Sequence, residues 1–320
     1  MKKFRSNLKI HITNFLELKH SLNIEYVTGE YYLKNYDEFN YGNKNLDYLD
    51  KETVDLWVKN KKEASKAIYC GYISFLREFG KYLNSIDNKS YILSDKYTAP
   101  RYKPEVYLFT NSELHDFFLT IDKYKEIKND IKNKIVMPAL FRFLYYFGVR
   151  CKEARVLECR NVHLNKGYID IIGSKGHKDR RLYLNNETII YFTKYDNKMN
   201  GLFPNRTLFF VKSEGGPILP YHISNYFNTI WDLAGLRKET KVRPRAYDLR
   251  HHFACQNILK WSLNNEDVHS KLPYLMAYMG HSNLESTYYY IHLIPDFFPI
   301  YNEISKSSND LIPEVIDYEI

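Results

Sequence analysis

The chain has 320 residues, 44% of them hydrophobic and 26% charged, which excludes a wholly disordered chain and leaves room for about two domains. No run of about 18 uncharged apolar residues occurs, so a membrane-spanning helix is excluded, and four scattered cysteines without a CxxC pair (Cys70, Cys151, Cys159, Cys255) speak against a disulfide framework or zinc knuckle and for a reducing cytoplasm. The net charge of +8 fits a polyanionic partner.

The charge is unevenly spread. Residues 1–105 carry 18 basic and 14 acidic side chains, residues 106–295 carry 27 and 18, and residues 296–320 carry one and six. Two basic bodies are thus followed by an acidic tail. The first fifteen residues hold charges but no apolar core, so no secretory signal is expected.

The first body reads as helical. Leu8, Ile12, Phe15 and Leu16 share one helical face, as do Ile68, Tyr72, Phe75, Leu76, Phe79 and Leu83. Asp50 and Thr53 can cap a short helix with Val54, Leu56 and Trp57. Residues 31–49, polar and rich in Asn and Tyr, read as a loop. Residues 84–106 lack apolar periodicity and hold Pro100 and Pro104, which places the interdomain connection there. The expected organisation is a helical domain over 1–100, a linker over 101–106 and a second domain over 107–320.

The second body opens on Thr110-Asn-Ser-Glu113, a capping-box pattern ahead of Leu114, Phe117, Phe118 and Ile121. A strongly apolar helix follows from about Lys134 to Phe147, with Gly148 as its C-cap. Tyr168–Ile172 and Arg181–Leu184 read as a hairpin joined by Gly- and Asp-bearing residues 173–179. Thr207–Val211 reads as a third strand. Helices are expected at about 221–235, 247–262 and 268–279, with a short one around Ser286–Tyr290. The fold class is therefore mainly α with a small antiparallel β-sheet.

Four groups of polar residues fall at element ends. Gly148-Val-Arg150-Cys-Lys-Glu153 follows a helix-ending glycine. Ser174-Lys175-Gly176-His177-Lys178 occupies the hairpin tip. Arg243-Pro-Arg245-Ala-Tyr247-Asp-Leu-Arg250-His251-His252 opens a helix, with Tyr247 and Arg250 on one face and the two histidines on different ones. Met279-Gly280-His281 ends a helix nine residues before Tyr290. Taken singly, each has an ordinary structural explanation: a helix-end arginine on free carbonyls, a solvated turn, a core histidine, an aromatic core.

Taken in order, these groups resemble the catalytic domain of the tyrosine recombinases, the lambda-integrase and Xer-type site-specific recombinases. GVRCKEARVLECRNV is similar to the family's G-x-R-x-x-E-x-x-x-L block and SKGHKDRRLYL to its G-K-G-x-K-x-R hairpin. AYDLRHHFA is similar to H-x-L-R-H-x-F-A, and MGHSNLESTYYYIH to L-G-H-x-x-x-x-x-T-x-x-Y-x-H. The resemblance covers about residues 106–293; residues 1–100 match the family's core-binding domain in length, placement and helicity only. One position departs: Tyr247 stands where the family has His, and a phenol's ordinary pKa of about 10 makes it a poor base. The interval from Arg250 to His281 is also a few residues longer than the family pattern, which places a longer loop around Asn264–Ser270.

The resemblance implies DNA strand cleavage and rejoining through a 3′-phosphotyrosine, in an integrase or transposase of a mobile element. Tyr290 would be the nucleophile, Arg150 and Arg250 the phosphate clamps, Lys175 the general acid and His281 a phosphate ligand or proton carrier. Tyr247 would occupy the box position with a doubtful role, and Glu153 and His251 would support. Lys178, Arg243 and Arg245 would contact DNA. His292 reads as a helix-end residue. No metal and no cofactor is implied, because arginines supply the positive charge. The partner would be a double-stranded recombination site, clamped by the two domains and bound by a homotetramer, with the tail 296–320 docking on a neighbouring protomer and a directionality factor as accessory. No membrane is involved. Two rival readings share these residues: an inactive DNA-binding relative, and a type IB topoisomerase-like enzyme that needs no defined site.

Overall fold

The computed structural model describes residues 4–61, 64, 66–86, 89–97, 105–124, 132–173, 179–237, 242–291 and 293. It divides into two compact units, residues 1–104 and 105–320. None of the described helices is long and apolar enough to cross a membrane.

The first unit packs four helices, α1 (Lys9–Ser21), α2 (Val27–Tyr41), α3 (Lys51–Asn60) and α4 (Lys66–Ser85), around Phe15, Leu33, Tyr36, Trp57, Leu76 and Phe79, each at most 2% exposed. The expected cap of α3 forms: the Asp50 carboxylate accepts from the Thr53 amide at 3.1 Å. Helix α2 takes residues 31–41 out of the expected loop over 31–49, whereas residues 42–49 lie outside any helix or strand. Its inner face buries Leu33 and Tyr36 together with polar Asp37 and Asn40. Asp37 takes the Arg5 and Ser6 amides at 2.7 and 3.1 Å, so the burial is satisfied by hydrogen bonds rather than by apolar periodicity. Residues 89–97 belong to this unit: Arg77 donates to the Leu93 and Ser94 carbonyls, both at 2.9 Å, and Leu93 is buried. Residues 98–104, which hold most of the expected linker, lie outside the described residues.

The second unit begins with α5 (Asn111–Lys123), closed by the Thr110–Glu113 capping box. Helix α6 (Met137–Phe147) follows a π-helical turn over Lys132–Val136. It is apolar on nearly all sides because α5 and α10 (Asp248–Leu263) both pack on it. Phe141, Phe143 and Leu144 are at most 1% exposed; truncating such a phenylalanine costs about 3–5 kcal/mol. Gly148 ends α6 with φ of 55°, and a Cβ there would stand 2.4 Å from the Phe253 ring. The five-residue α7 (Cys151–Arg155) follows.

The sheet is antiparallel in the order β1 (Val162–His163), β2 (Tyr168–Ile171), β3 (Arg180–Tyr183). Its register pairs Ile169 with Leu182 on the core face, and Asp170 with Arg181 on the other. The third strand is therefore β1, not Thr207–Val211. That segment makes only isolated bridges. Phe209, Phe210 and Val211 are consecutively buried, so no alternation of faces exists to extend a ladder.

Helix α8 (Asn186–Leu202) was not anticipated from the sequence; it is capped by Asn185 and buries Thr188, Phe192, Tyr195 and Met199. Then come α9 (Pro220–Leu233), α10, α11 (Val268–Met279) and the seven-residue α12 (Glu285–Ile291). The expected long loop at Asn264–Ser270 is a turn over 264–267, since α11 starts at Val268. Helices α10, α11 and α12 share a small core of Cys255, Ile258, Leu272, Leu275, Met279, Tyr290 and Ile291.

Candidate active site

The site is built where three helix termini meet. Arg150 stands at the N-terminus of α7, Arg250 in the first turn of α10, and Gly280 and His281 just past α11. Short α12 cannot sustain itself by propensity. It is held by burial of Thr287, Tyr290 and Ile291 and by the Asn283 side chain, which accepts from the Ser286 amide at 3.2 Å.

The two arginines are fixed by backbone carbonyls. Arg250 is 2% exposed. Its Nη1 donates to the Gly148 carbonyl at 2.7 Å, and its Nη2 to the Met279 carbonyl. Arg150 Nη2 donates to the next carbonyl along, Gly280, at 2.7 Å. Both guanidiniums therefore sit on the negative end of α11. Each carries five N–H donors, and these contacts leave Arg250 Nε buried without a partner. Burial lowers the Arg250 pKa, and neighbouring Arg150 lowers it further, while Tyr247 and Tyr290 raise it.

Glu153 receives four donors. Arg150 gives it the backbone amide at 2.9 Å and Nη1 at 2.7 Å. Arg180 gives it Nη1 at 3.2 Å and Nη2 at 2.8 Å. Burial pushes the carboxyl up, but the Arg180 hydrogen bonds and charge, then those of Arg150, hold it at about 2. Gly280, with φ of 62°, lies between these cations: a Cβ there would stand 3.2 Å from Arg180 Nη1 and 3.3 Å from Arg150 Nη1.

Tyr290 is 3% exposed. Its ring centroid lies 5.6 Å from that of His251 and 5.9 Å from that of His281. Burial raises its phenol pKa, while Arg250 and Arg150 pull the other way. Its neighbours differ: Tyr288 is 37% exposed and sits by His269. Burial lowers His251 and His281 to about 4, with Arg250 acting on both in the same direction. Both imidazoles are neutral at pH 7. His281 Nδ1 lies 3.0 Å from Thr287 Oγ1. Tyr247, 40% exposed, meets His251 edge-on at 5.1 Å. The adjacent histidines do face different ways, for His252 packs between Phe109 and Tyr145.

The two arginines expected on DNA differ in their surroundings. Arg245 is engaged bidentately with the buried Asp248, at 3.1 and 2.7 Å. Arg243 is exposed and lines a cavity of about 150 Å³ with Tyr107, Trp231, Asp232 and Arg237. Lys175, Lys178 and His292 lie outside the described residues, as does the tail from 294 onward. Arg180 was missed, although the hairpin motif ends on it and Leu182, two positions on, marks its face as the inner one.

Comparison with known proteins agrees with the family resemblance. The family model described as "Phage integrase family" matches residues 117–295, more than half of the chain. A Sinorhizobium fredii protein described as an integrase/recombinase is 28% identical over 220 residues, covering 68% of this chain and 69% of its own. The tyrosine recombinase XerC of Actinobacillus succinogenes is 25% identical over 221 residues, covering 69% and 68%. Among solved structures, the XerH site-specific recombinase bound to its palindromic difH substrate superposes with a TM-score of 0.62 at 22% identity, over 88% of this chain and 78% of that one. Fold, motifs and matches define a tyrosine-type site-specific recombinase. The chain belongs to the phage integrase family.

Proposed function

We propose that Tyr290 is the nucleophile of a DNA transesterification, clamped between two neutral imidazoles beside the guanidiniums of Arg150 and Arg250. That juxtaposition carries the reading. The phenol oxygen attacks the scissile phosphorus as its proton passes to a flanking imidazole. The bond to the 5′-oxygen breaks, giving a 3′-phosphotyrosine and, after protonation, a free 5′-hydroxyl. The reverse reaction with another 5′-hydroxyl rejoins the strand. The covalent link conserves the bond energy, so no nucleoside triphosphate is needed.

The pentacoordinate transition state gathers negative charge on the non-bridging oxygens. Arg150 and Arg250 keep donors for them, already oriented by carbonyls, so little reorganisation is needed when charge develops. His281 contacts the phosphate or carries the proton, and Tyr247 offers it a hydroxyl from the start of α10. The 5′-alkoxide takes its proton from Lys175, an assignment resting on the hairpin motif. Arg245, engaged with Asp248, contributes less to DNA binding than Arg243. The substrate is duplex DNA at a defined site, bound through phosphates and hence weakened steeply by salt. Four copies act on paired sites within a mobile element, with a directionality factor and the 296–320 tail completing the assembly.

The test is covalent capture. A pool of nicked duplexes with randomised arms is incubated with the protein, SDS-resistant adducts are isolated, and their DNA ends are sequenced. Wild type yields one enriched site, and Tyr290→Phe yields no adduct. An adduct that survives Tyr290→Phe but not Tyr288→Phe or Tyr289→Phe moves the nucleophile. No adduct from wild type favours an inactive binder. Adducts without sequence enrichment, together with relaxation of any supercoiled plasmid, favour a topoisomerase-like enzyme.

A further inference from the structure

We infer that Arg180 is a positioning residue of this site: it holds Glu153 and so leaves the charge of Arg150 available to the phosphate. The inference rests on the reading of Arg150 as a phosphate clamp.

Arg180 opens β3, paired with Ile171 of β2. Side chains alternate across a strand. Ile171 and Leu182 are both buried, so Arg180 shares the inner face of the sheet. Its side chain is 8% exposed and that of Glu153 5%. Both terminal nitrogens of Arg180 reach the two oxygens of Glu153, at 3.2 and 2.8 Å. This is a fork-to-fork contact that lysine cannot reproduce. From the other side, Arg150 gives Glu153 its amide and Nη1.

Charge counting shows what this arrangement does. Arg150 and Glu153 alone make a neutral pair, and a buried carboxylate at 2.7 Å would oppose any phosphate seeking that guanidinium. Arg180 makes the trio net positive by one. It also anchors five-residue α7 to the sheet, fixing the direction in which Arg150 points. Gly280 spaces the two guanidiniums and offers its carbonyl to Arg150. The cluster is thus poised for an incoming anion.

The experiment compares single-turnover adduct formation on the captured duplex for wild type, Arg150→Ala, Arg180→Met, Arg180→Lys and the double variant Glu153→Gln/Arg180→Met. Arg180→Met leaves Arg150 neutralised. It slows adduct formation about 10–100-fold, with duplex affinity within about two-fold of wild type by the same token that phosphate contacts elsewhere dominate binding. The double variant restores the positive count with a near-isosteric amide and regains most of the lost rate. Arg180→Lys falls between. A duplex with a methylphosphonate at the scissile position, lacking one negative charge, shrinks the defect of Arg150→Ala and of Arg180→Met alike. Should Arg180→Met unfold, the lysine and double variants carry the comparison. A double variant no faster than Arg180→Met, or a wild-type rate in Arg180→Met, overturns the inference. Arg150→Ala with a wild-type rate overturns instead the phosphate-clamp reading beneath it.

Discussion

His281 and Thr287 are joined at 3.0 Å between Nδ1 and Oγ1, so the helix carrying the candidate nucleophile also orients the imidazole beside it. Thr287 and Tyr290 are three residues apart and both are buried on one face of α12. Thr287→Val keeps the volume and removes the contact. Adduct formation is expected to fall about tenfold, the worth of one hydrogen bond of about 1.4 kcal/mol, with affinity for DNA unchanged. Thr287→Ser restores the rate. Equal rates in all three proteins would show that Thr287 only packs.

The hairpin lysines separate by chemistry. Lys175 lies between Ser174 and Gly176, as in the family's G-K-G pattern, whereas Lys178 stands two residues before β3. Loss of a general acid costs about 10²–10⁴-fold. A 5′-thio leaving group departs without a proton and rescues that loss. Lys175→Ala is expected to be slow on ordinary DNA and largely rescued on 5′-thio DNA. Lys178→Ala is expected to weaken binding and lower the salt slope by about one, without selective rescue. Rescue that follows Lys178 reassigns the acid.

Metal dependence follows from the guanidiniums. Arg150 and Arg250 supply fixed positive charge at the site, the service divalent ions give in other phosphoryl transfers. Adduct formation should continue in excess EDTA at its wild-type rate. Loss in EDTA with recovery in magnesium would reject arginine-only charge stabilisation.

Acid should weaken the second unit from about pH 6.5 downward. His251, His252 and His281 are each lowered by burial to about 4. Above about 6.5 they are neutral in both folded and unfolded chains and cost nothing. Between about 6.5 and 4 the unfolded chain takes up protons that the folded one refuses, so stability falls with pH. His252, 2% exposed, accounts for about 3 kcal/mol of that loss. Glu153, depressed to about 2, adds a further loss as pH drops from about 4.5 toward 2. Thermal midpoints measured against pH should decline less steeply in His252→Phe than in wild type. Parallel curves would contradict the assignment.

The sequence announced those parts of the molecule that depend on local pattern. The Thr110–Glu113 cap, Gly148, the β2–β3 hairpin and the four motif blocks all read directly, because each is a spacing rule within about a dozen residues. Helix α2 did not, since Asp37 and Asn40 occupy core positions and are satisfied by partners outside the helix, the Arg5 and Ser6 amides and the Ser6 hydroxyl for Asp37 and looped-back backbone for Asn40. Helix α8 hid its Phe192, Tyr195 and Met199 stripe among Asn, Lys and Asp. At the site, Glu153 was legible as a supporting residue through the family block that begins at Gly148. The fourfold donation to Glu153 was not, because Arg180 arrives from a strand 27 residues away. The Arg245–Asp248 contact likewise was not read from the sequence, although the two residues stand three apart.

Arg250 fastens the end of α6 to the end of α11 through the Gly148 and Met279 carbonyls. Removing it strands both acceptors and leaves a hole, a penalty on the order of 3–5 kcal/mol. Arg250 therefore has a structural task, joining two helix ends, that stands apart from any part in strand exchange. Tyr290 carries no such obligation: phenylalanine fills the same space. If Tyr290 is the nucleophile, a phenylalanine at 290 would leave the packing whole and remove the chemistry, whereas a change at Arg250 would disturb both at once.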